Sequence, residues 1–315
     1  MTVLLVAATG GHLAQLNDLA PRIPGVDENA VWVTFDNPQS RSMLRDRPHV
    51  FVPYTDSRDA GTALRNVPIA AGIIRQIKPS LVVSTGNAIA VSFLPAARLA
   101  GIPAAYIESA ARAEGPSLTG RIMRRVPGVQ LFSQYEDWAT PPWNYAGSIF
   151  DKFAAAERKE RATIRRVFVT LGTITYGFRR LVERLLEILP PGCEVIWQVG
   201  STDVSGLGIE SQKNIPSDAH REEMRRADLV IAHGGIGSAL AALEAGKCPV
   251  LVPRESRHGE HVDDHQRQIA ARLDGLGLAT GRSVPRLTAE DLELAARQVV
   301  MQRDGLPPLR IAAAA

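Results

Sequence analysis

A chain of 315 residues, 45% of them hydrophobic and 22% charged, is long enough to bury two cores and too apolar to stay disordered. A net charge of +3 does not single out nucleic acid as a partner, and with two cysteines, Cys193 and Cys248, neither a disulfide framework nor a structural zinc site is expected. No basic leader precedes the apolar start, and the most apolar window, 87–107, is broken by Pro95, Arg98 and Pro103, so a cytosolic chain without signal peptide or membrane-spanning helix is expected.

Strand and helix signals then alternate. Residues 2–8 read as a buried strand, Thr9, Gly10, Gly11 and His12 as a turn, and Leu13, Leu16 and Leu19 as the inner face of a helix. Strands are predicted at 30–35 and 50–54 with a short helix between them after Asn37-Pro38, then a longer helix at 61–77 and a strand at 81–84. Thr85, Gly86 and Asn87 repeat the glycine turn ahead of a helix at 88–99. A strand at 103–107 runs into Glu108 and Ser109, polar groups at a carboxyl edge and therefore candidates for chemistry. Ser117 caps a short basic segment with Arg121, Arg124 and Arg125, and strands at 129–133 and 145–150 complete a first domain, 1–150. The charged stretch 151–166 reads as a linker.

A second series begins at 167 with a strand, a helix at about 178–189, a strand at 194–199 and a helix near 220–225. The most informative stretch is 227–266. An apolar run at 229–232 leads into His233-Gly234-Gly235 and an Ala-rich helix, then a second apolar run at 249–252 opens into a loop with Glu260, His261, Asp264, His265 and Gln266. In a parallel sheet the crossover helix starts just past the strand, so this turn offers bare N–H groups and a positive helix end to an anion. A phosphorylated ligand is the expected occupant, and the polar loop, on the same side of the sheet, suits the hydroxyls of an attached sugar. A strand at 278–280, a helix at 288–301 and a loosely packed tail close a second domain, 167–315. The fold class is α/β, two doubly wound Rossmann-like domains whose single linker implies a cleft between their carboxyl edges.

Plainer roles exist for the same groups. The glycine pairs serve equally for close packing, His233 for filling space, and His12 for capping its helix. Glu108 suits a surface ion pair with Arg112 one turn on. The histidines and carboxylates of 260–266 suit a metal, but the chain has no Asp-x-Asp pair of the kind used by metal-dependent sugar transferases, so no metal is expected and direct hydrogen bonds to a sugar are preferred. The three arginines suit a solvated face.

Together the motifs resemble one family. His233-Gly234-Gly235, Ser238, the Gly246-Lys247-Cys248-Pro249 step and Asp264-His265-Gln266 look like the donor half of GT-B glycosyltransferases of the family 28 type, which includes the lipid II synthase of peptidoglycan. Gly10-Gly11-His12-Leu13 looks like their acceptor half. Ser84-Thr85-Gly86 and residues 106–112, 117–120 and 147–151 resemble the acceptor subunit, and Gln198-Val199-Gly200 with 259–266 the donor subunit, of two-part exopolysaccharide and dolichol-linked N-acetylglucosamine transferases. The chain then reads as a fusion of both halves.

The resemblance implies an inverting transfer of a hexose from a UDP-sugar co-substrate to a lipid-linked or glycosylated acceptor, without a cofactor. Donor contacts are expected from Gly172 and Thr173, placed with Gly234 and Gly235 at two converging helix starts, and from Gln198, Gly200, His233, Ser238, Glu260, His261, Asp264, His265 and Gln266. Acceptor contacts are expected from Gly10, Gly11, Thr85, Gly86, Asn87, Ser109 and Arg112. His12, which titrates near neutrality, is read as the general base and Glu108 as the group orienting the acceptor. Many enzymes of this fold hold the ribose with an acid three positions after the serine, where this chain has Ala241; Glu244 reaches that place only from a shifted helix. Arg121, Arg124 and Arg125 alternate with Ile122, Met123 and Val126 and point to peripheral contact with an anionic membrane. The alternatives are a nucleotide-sugar 2-epimerase and a nucleotide-sugar-binding regulatory subunit.

Overall fold

Short apolar runs buried on both faces form the centre of each half, as a parallel sheet covered by helices requires. The computed structural model describes residues 2–55, 60–157, 163–262 and 264–311. They divide into two units, Met1–Asp151 with Gly305–Ala315, and Lys152–Asp304.

In the first unit β1 (Val3–Val6), β2 (Val31–Phe35), β3 (His49–Val52), β4 (Leu81–Ser84), β5 (Ala104–Ile107), β6 (Val129–Ser133) and β7 (Trp143–Tyr145) form a sheet in the order β3-β2-β1-β4-β5-β6-β7. All neighbours are parallel. The crossovers carry α1 (Gly11–Leu19), α2 (Pro38–Met43), α3 (Ala60–Arg65), α4 (Val67–Ile77), α5 (Ala88–Leu99) and α6 (Leu118–Met123). Leu4, Val6, Val82, Phe93, Leu94, Tyr106 and Met123 share one core.

The second unit holds β8 (Phe153–Glu157), β9 (Arg166–Thr170), β10 (Glu194–Gln198), β11 (Ser211–Gln212), β12 (Leu229–His233), β13 (Val250–Val252), β14 (Thr280–Gly281) and β15 (Gln298–Gln302). Its parallel sheet runs β11-β10-β9-β12-β13-β14, the same winding again, around Val167, Val169, Leu181, Leu185, Ile231 and Val250. Its helices are α7 (Arg179–Ile188), α8 (Ser217–Arg226), α9 (Ile236–Glu244), α10 (His265–Gly275) and α11 (Ala289–Arg297). Strand order reverses between β1 and β4 in one sheet and between β9 and β12 in the other, and the crevice beyond such a reversal is where ligands of this fold class bind.

Four of the differences from the sequence reading bear on how the units are built. The expected linker 151–166 begins as β8, paired antiparallel with β15, and its residues 158–162 lie outside the described ones. The expected helix 288–301 ends at Arg297, where Gln298, Val299 and Val300 extend to make that pairing, a geometry that suits the β-branched valines. The expected strand 145–150 is β7, two residues earlier, followed by a turn of 3-10 helix at Ile149–Lys152. The tail belongs to the first unit and not the second, and as far as Ile311 it is not loose: Leu309 N donates to Arg22 O at 2.6 Å, Arg22 Nε to Pro307 O at 3.0 Å, and Leu309 and Ile311 are buried.

Candidate active site

The second unit's reversal point is packed around one histidine. His233 ends β12 with its ring wedged between glycines: a Cβ on Gly172 would stand 2.6 Å from Cε1, and one on Gly235 would stand 2.3 Å from Nε2. Gly172 also has φ of +73°, open to few other residues. A Cβ on Gly234 would meet Gln266 O at 2.8 Å. Close packing is thus one real role of these glycines, and its effect is to draw the turn after β9 against the start of α9. Burial above all, then the Arg254 charge, pushes the His233 pKa down to about 3, so the ring is neutral. Gly235 caps α9 with no side-chain bond to the first amides, and Ser238 stands half-buried in that first turn.

Gly172 and Thr173 are not at a helix start, a correction to the sequence reading. Helix α7 begins only at Arg179, because the β-branched run Thr173-Ile174-Thr175 and Gly177 favour an irregular loop. Gln198 fixes that loop: buried, it accepts from Thr170 Oγ1 at 2.6 Å and donates to Gly172 O at 2.9 Å and Lys213 O at 3.1 Å. Gly200, with φ of +58°, lies where a Cβ would meet Gly172 O at 2.3 Å. Both residues shape the turn from inside.

The polar loop divides. Glu260 is 5% exposed and bound by both oxygens to Arg180, at 2.8 and 2.9 Å, with Glu255 N donating to it at 3.1 Å. Gln266, 2% exposed, accepts from Arg254 N at 3.0 Å. Both Glu260 oxygens are thus taken, whereas among the described residues Gln266 is held only through its oxygen; these partners come from elsewhere in the chain and leave no local mark in the sequence. Asp264 is exposed and accepts from Ser256 N at 2.8 Å. His261 and His265 meet edge to face at 4.8 Å between ring centres, with Tyr176 at 6.1 Å from His261, an aromatic step that sequence reading missed in part. Glu244, which could serve a ribose only from a shifted helix, ends α9 away from the glycine turn, with Lys152 Nζ 3.4 Å away. Ala241 packs toward the cluster of Phe168, Met224 and Ala227.

Sequence reading missed Arg254 altogether. It follows β13 and is fully buried, with Nη2 donating to Leu171 O at 2.6 Å and to Tyr176 O at 3.2 Å and its guanidinium 5.4 Å from the centre of the Phe178 ring. Burial lowers its pKa to about 10, still a cation at neutral pH.

In the first unit, α1 starts directly behind β1 and brings His12 to Thr85 at the end of β4, with Nδ1 2.8 Å from Thr85 O. A carbonyl only accepts, so Nδ1 carries the hydrogen and Nε2 keeps its lone pair. Burial foremost, and the Arg112 charge, lower the pKa of the ring, while the Thr85 bond opposes them. Gly86, with φ of +108°, leaves room for the Tyr106 hydroxyl and the His12 ring, at 3.0 and 3.5 Å from where its Cβ would be. Asn87 caps α5 through Ala88 N at 2.6 Å, Gly10 N donates to Gln39 Oε1 at 2.7 Å, and Gly11 is the first residue of α1.

Glu108 is a correction. It is neither at the surface with Arg112 nor open to an acceptor: at 1% exposure it receives Tyr106 Oη at 3.1 Å, Ser109 N at 3.0 Å, Ser117 N at 2.9 Å and Ser117 Oγ at 3.0 Å. Desolvation raises its pKa and these bonds oppose the rise. Ser109 is drawn into a second buried network, in which Gln15 Nε2 donates to its hydroxyl at 3.0 Å and Gln134 Nε2 to Glu108 O at 2.9 Å. These carboxamides gave no signal in the sequence, since their partners are distant in the chain. Arg112 is half-buried, its carbonyl held by Trp138 Nε1 at 3.2 Å.

Arg121, Arg124 and Arg125 are exposed, but the apolar residues between them are not. Met123 is fully buried, and Ile122 and Val126 pack against the same core. The apolar side of this segment therefore serves the fold, not a bilayer. Among the described residues no helix is long and apolar enough to cross a membrane.

Residues 166–303 match the glycosyltransferase family 28 C-terminal domain. The second unit is a family 28 domain. Similar proteins include the UDP-N-acetylglucosamine--N-acetylmuramyl-(pentapeptide) pyrophosphoryl-undecaprenol N-acetylglucosamine transferase of Chlorobium luteolum, 27% identical over 71% of this chain and 63% of that one. The enzyme of the same description from Synechococcus sp. (strain WH7803) is 26% identical over 89% and 82%. The UDP-N-acetylglucosamine transferase subunit ALG13 of Mus musculus is 33% identical over 35% of this chain, which spans 10% of that subunit. Among solved structures, Acinetobacter baumannii MurG has a TM-score of 0.61 at 21% identity, covering 93% of this chain and 88% of its own. The glycosyltransferase SnogD from Streptomyces nogalater has a TM-score of 0.56, covering 94% and 93%. The fold is GT-B, and its family 28 half is the one built around His233.

Proposed function

We propose that this family 28 protein transfers a hexose from a uridine diphosphate sugar to a hydroxyl of a lipid-linked or glycosylated acceptor, with inversion at the anomeric carbon. The observation that carries the reading is the start of α9, whose first amides no side chain among the described residues caps, set against the Gly172 turn at the point where the sheet reverses order. A diphosphate suits that place, and the Tyr176, His261 and His265 step beside it suits a sugar. The Chlorobium luteolum and Synechococcus enzymes and the ALG13 subunit are UDP-N-acetylglucosamine transferases, which makes that donor the first to test.

On the acceptor side His12 fits a general base better than Glu108, since Nε2 keeps its lone pair while both Glu108 oxygens are taken. The hydroxyl proton passes to Nε2 as the oxygen bonds to the anomeric carbon and the bond to the diphosphate breaks. The departing charge is met by backbone amides and the positive end of α9. Turnover is therefore expected to survive a chelator; full loss, restored by magnesium or manganese, would assign a metal to the diphosphate instead. The exposed Arg121, Arg124 and Arg125 suit a cytosolic protein resting reversibly on an anionic leaflet.

Calorimetry of the whole chain with uridine diphosphate tests the donor half, with binding expected at roughly −5 to −8 kcal/mol. A folded chain that binds none overturns the reading. Binding without turnover over a panel of acceptors would favour a regulatory subunit, and interconversion of the sugar nucleotide without acceptor an epimerase.

A further inference from the structure

Among the described residues Arg254 is a buried cation without an ion-pair partner, and its Nε and Nη1 have no hydrogen-bond partner there. Glu260, the acid whose charge reaches it, is already held by Arg180 through both oxygens. Burying an unpaired charge is expensive, and an apolar side chain of similar shape often serves a fold at least as well. What the guanidinium does hold is the donor-side turn: its two bonds go to Leu171 O and Tyr176 O, on either side of Gly172 and Thr173. Its charge is felt at the neighbouring contact too, where it helps keep His233 neutral.

We infer that Arg254 is a positioning residue for the diphosphate of the donor, bracing the turn 171–176 through two carbonyls and supplying a fixed positive charge behind it. This rests on the donor reading above. A dianionic ligand at Gly172 is the group whose charge offsets that of the buried guanidinium.

The test compares uridine diphosphate with uridine, which lacks the phosphates, on the full chain and on Arg254→Met and Arg254→Lys. Calorimetry and ligand-observed NMR read affinity, and thermal melting reads the fold. Arg254→Met is expected to weaken uridine diphosphate about ten-fold or more while uridine changes less than about two-fold, and Arg254→Lys to recover most of the loss. Should Arg254→Met fail to fold, Arg254→Gln, which keeps a donor without the charge, carries the same comparison. Equal binding of uridine diphosphate by parent and variants overturns the inference alone. So does parallel loss of both ligands, the mark of a merely structural brace. A parent chain that binds no uridine diphosphate overturns the donor reading, and this inference with it.

Discussion

His12 and Thr85 hold each other twice: the Thr85 hydroxyl donates to the His12 carbonyl at 2.9 Å while the His12 ring donates through Nδ1 to the Thr85 carbonyl at 2.8 Å. One pair of residues thereby joins the first turn of α1 to the end of β4 and sets which ring nitrogen is free.

A free Nε2 in a ring of lowered pKa stays ready as a base below the ordinary histidine value. His12→Ala is expected to reduce turnover roughly 10²- to 10⁴-fold with donor affinity little changed. In the parent chain activity should hold as pH falls past 6.5, the ordinary histidine value, and drop only at the lowered value where the ring takes a proton. Steady-state kinetics of both chains over that range decide it. An acid limb at or above 6.5, or near-normal turnover of the variant, removes His12 from this role.

The histidine of the second unit makes a different prediction, about stability. His233 binds a proton at about 3 in the fold against 6.5 when free, so its contribution is intact above 6.5 and is lost progressively as pH falls, because the unfolded chain alone takes up the proton. The slope is at most about 1.4 kcal/mol per pH unit for one such group. Urea midpoints between pH 7.5 and about 5 should fall less steeply in His233→Asn than in the parent.

Gly235 tests the packing without a backbone complication, since its φ of −80° suits any residue. Gly235→Ala should cost about 1–3 kcal/mol through the clash with the His233 ring. Adding His233→Ala should return part of that loss, so that the two changes are not additive in denaturant melts. Strict additivity would show that the ring moves aside freely.

Flotation with anionic vesicles addresses the basic segment. Replacing Arg121, Arg124 and Arg125 together by Ser should abolish salt-sensitive binding, each arginine adding on the order of 1 kcal/mol, and leave the melting temperature unchanged. Met123→Ser should do the opposite, lowering stability because that side chain is in the core.

Elements whose signal is local were legible in the sequence. Leu81–Ser84, Val129–Ser133 and Ala88–Leu99 have the bounds that apolar runs, Asn87 and the glycines mark. β8 was not legible, since Phe153–Glu157 is mostly alanine and becomes a strand only through its distant partner Gln298–Gln302. The candidate site followed the same rule. The glycine turns were visible because backbone geometry is written in the residue itself. Which carboxylates stay free was not: Glu108 is taken by Ser117 and Glu260 by Arg180, and no spacing announces such pairings.

The docked tail means that one cut cannot separate the halves. A chain divided between Asp151 and Lys152 would leave the donor fragment carrying Leu309 and Ile311, whose seat is in the other piece, beside Arg22 and Ala146. Such fragments should recognise one another through a short peptide, as a lock does a key left on the wrong ring, and copurify when expressed together. A donor fragment stopped at Asp304 should lose that affinity while keeping both strands of its β8–β15 ribbon.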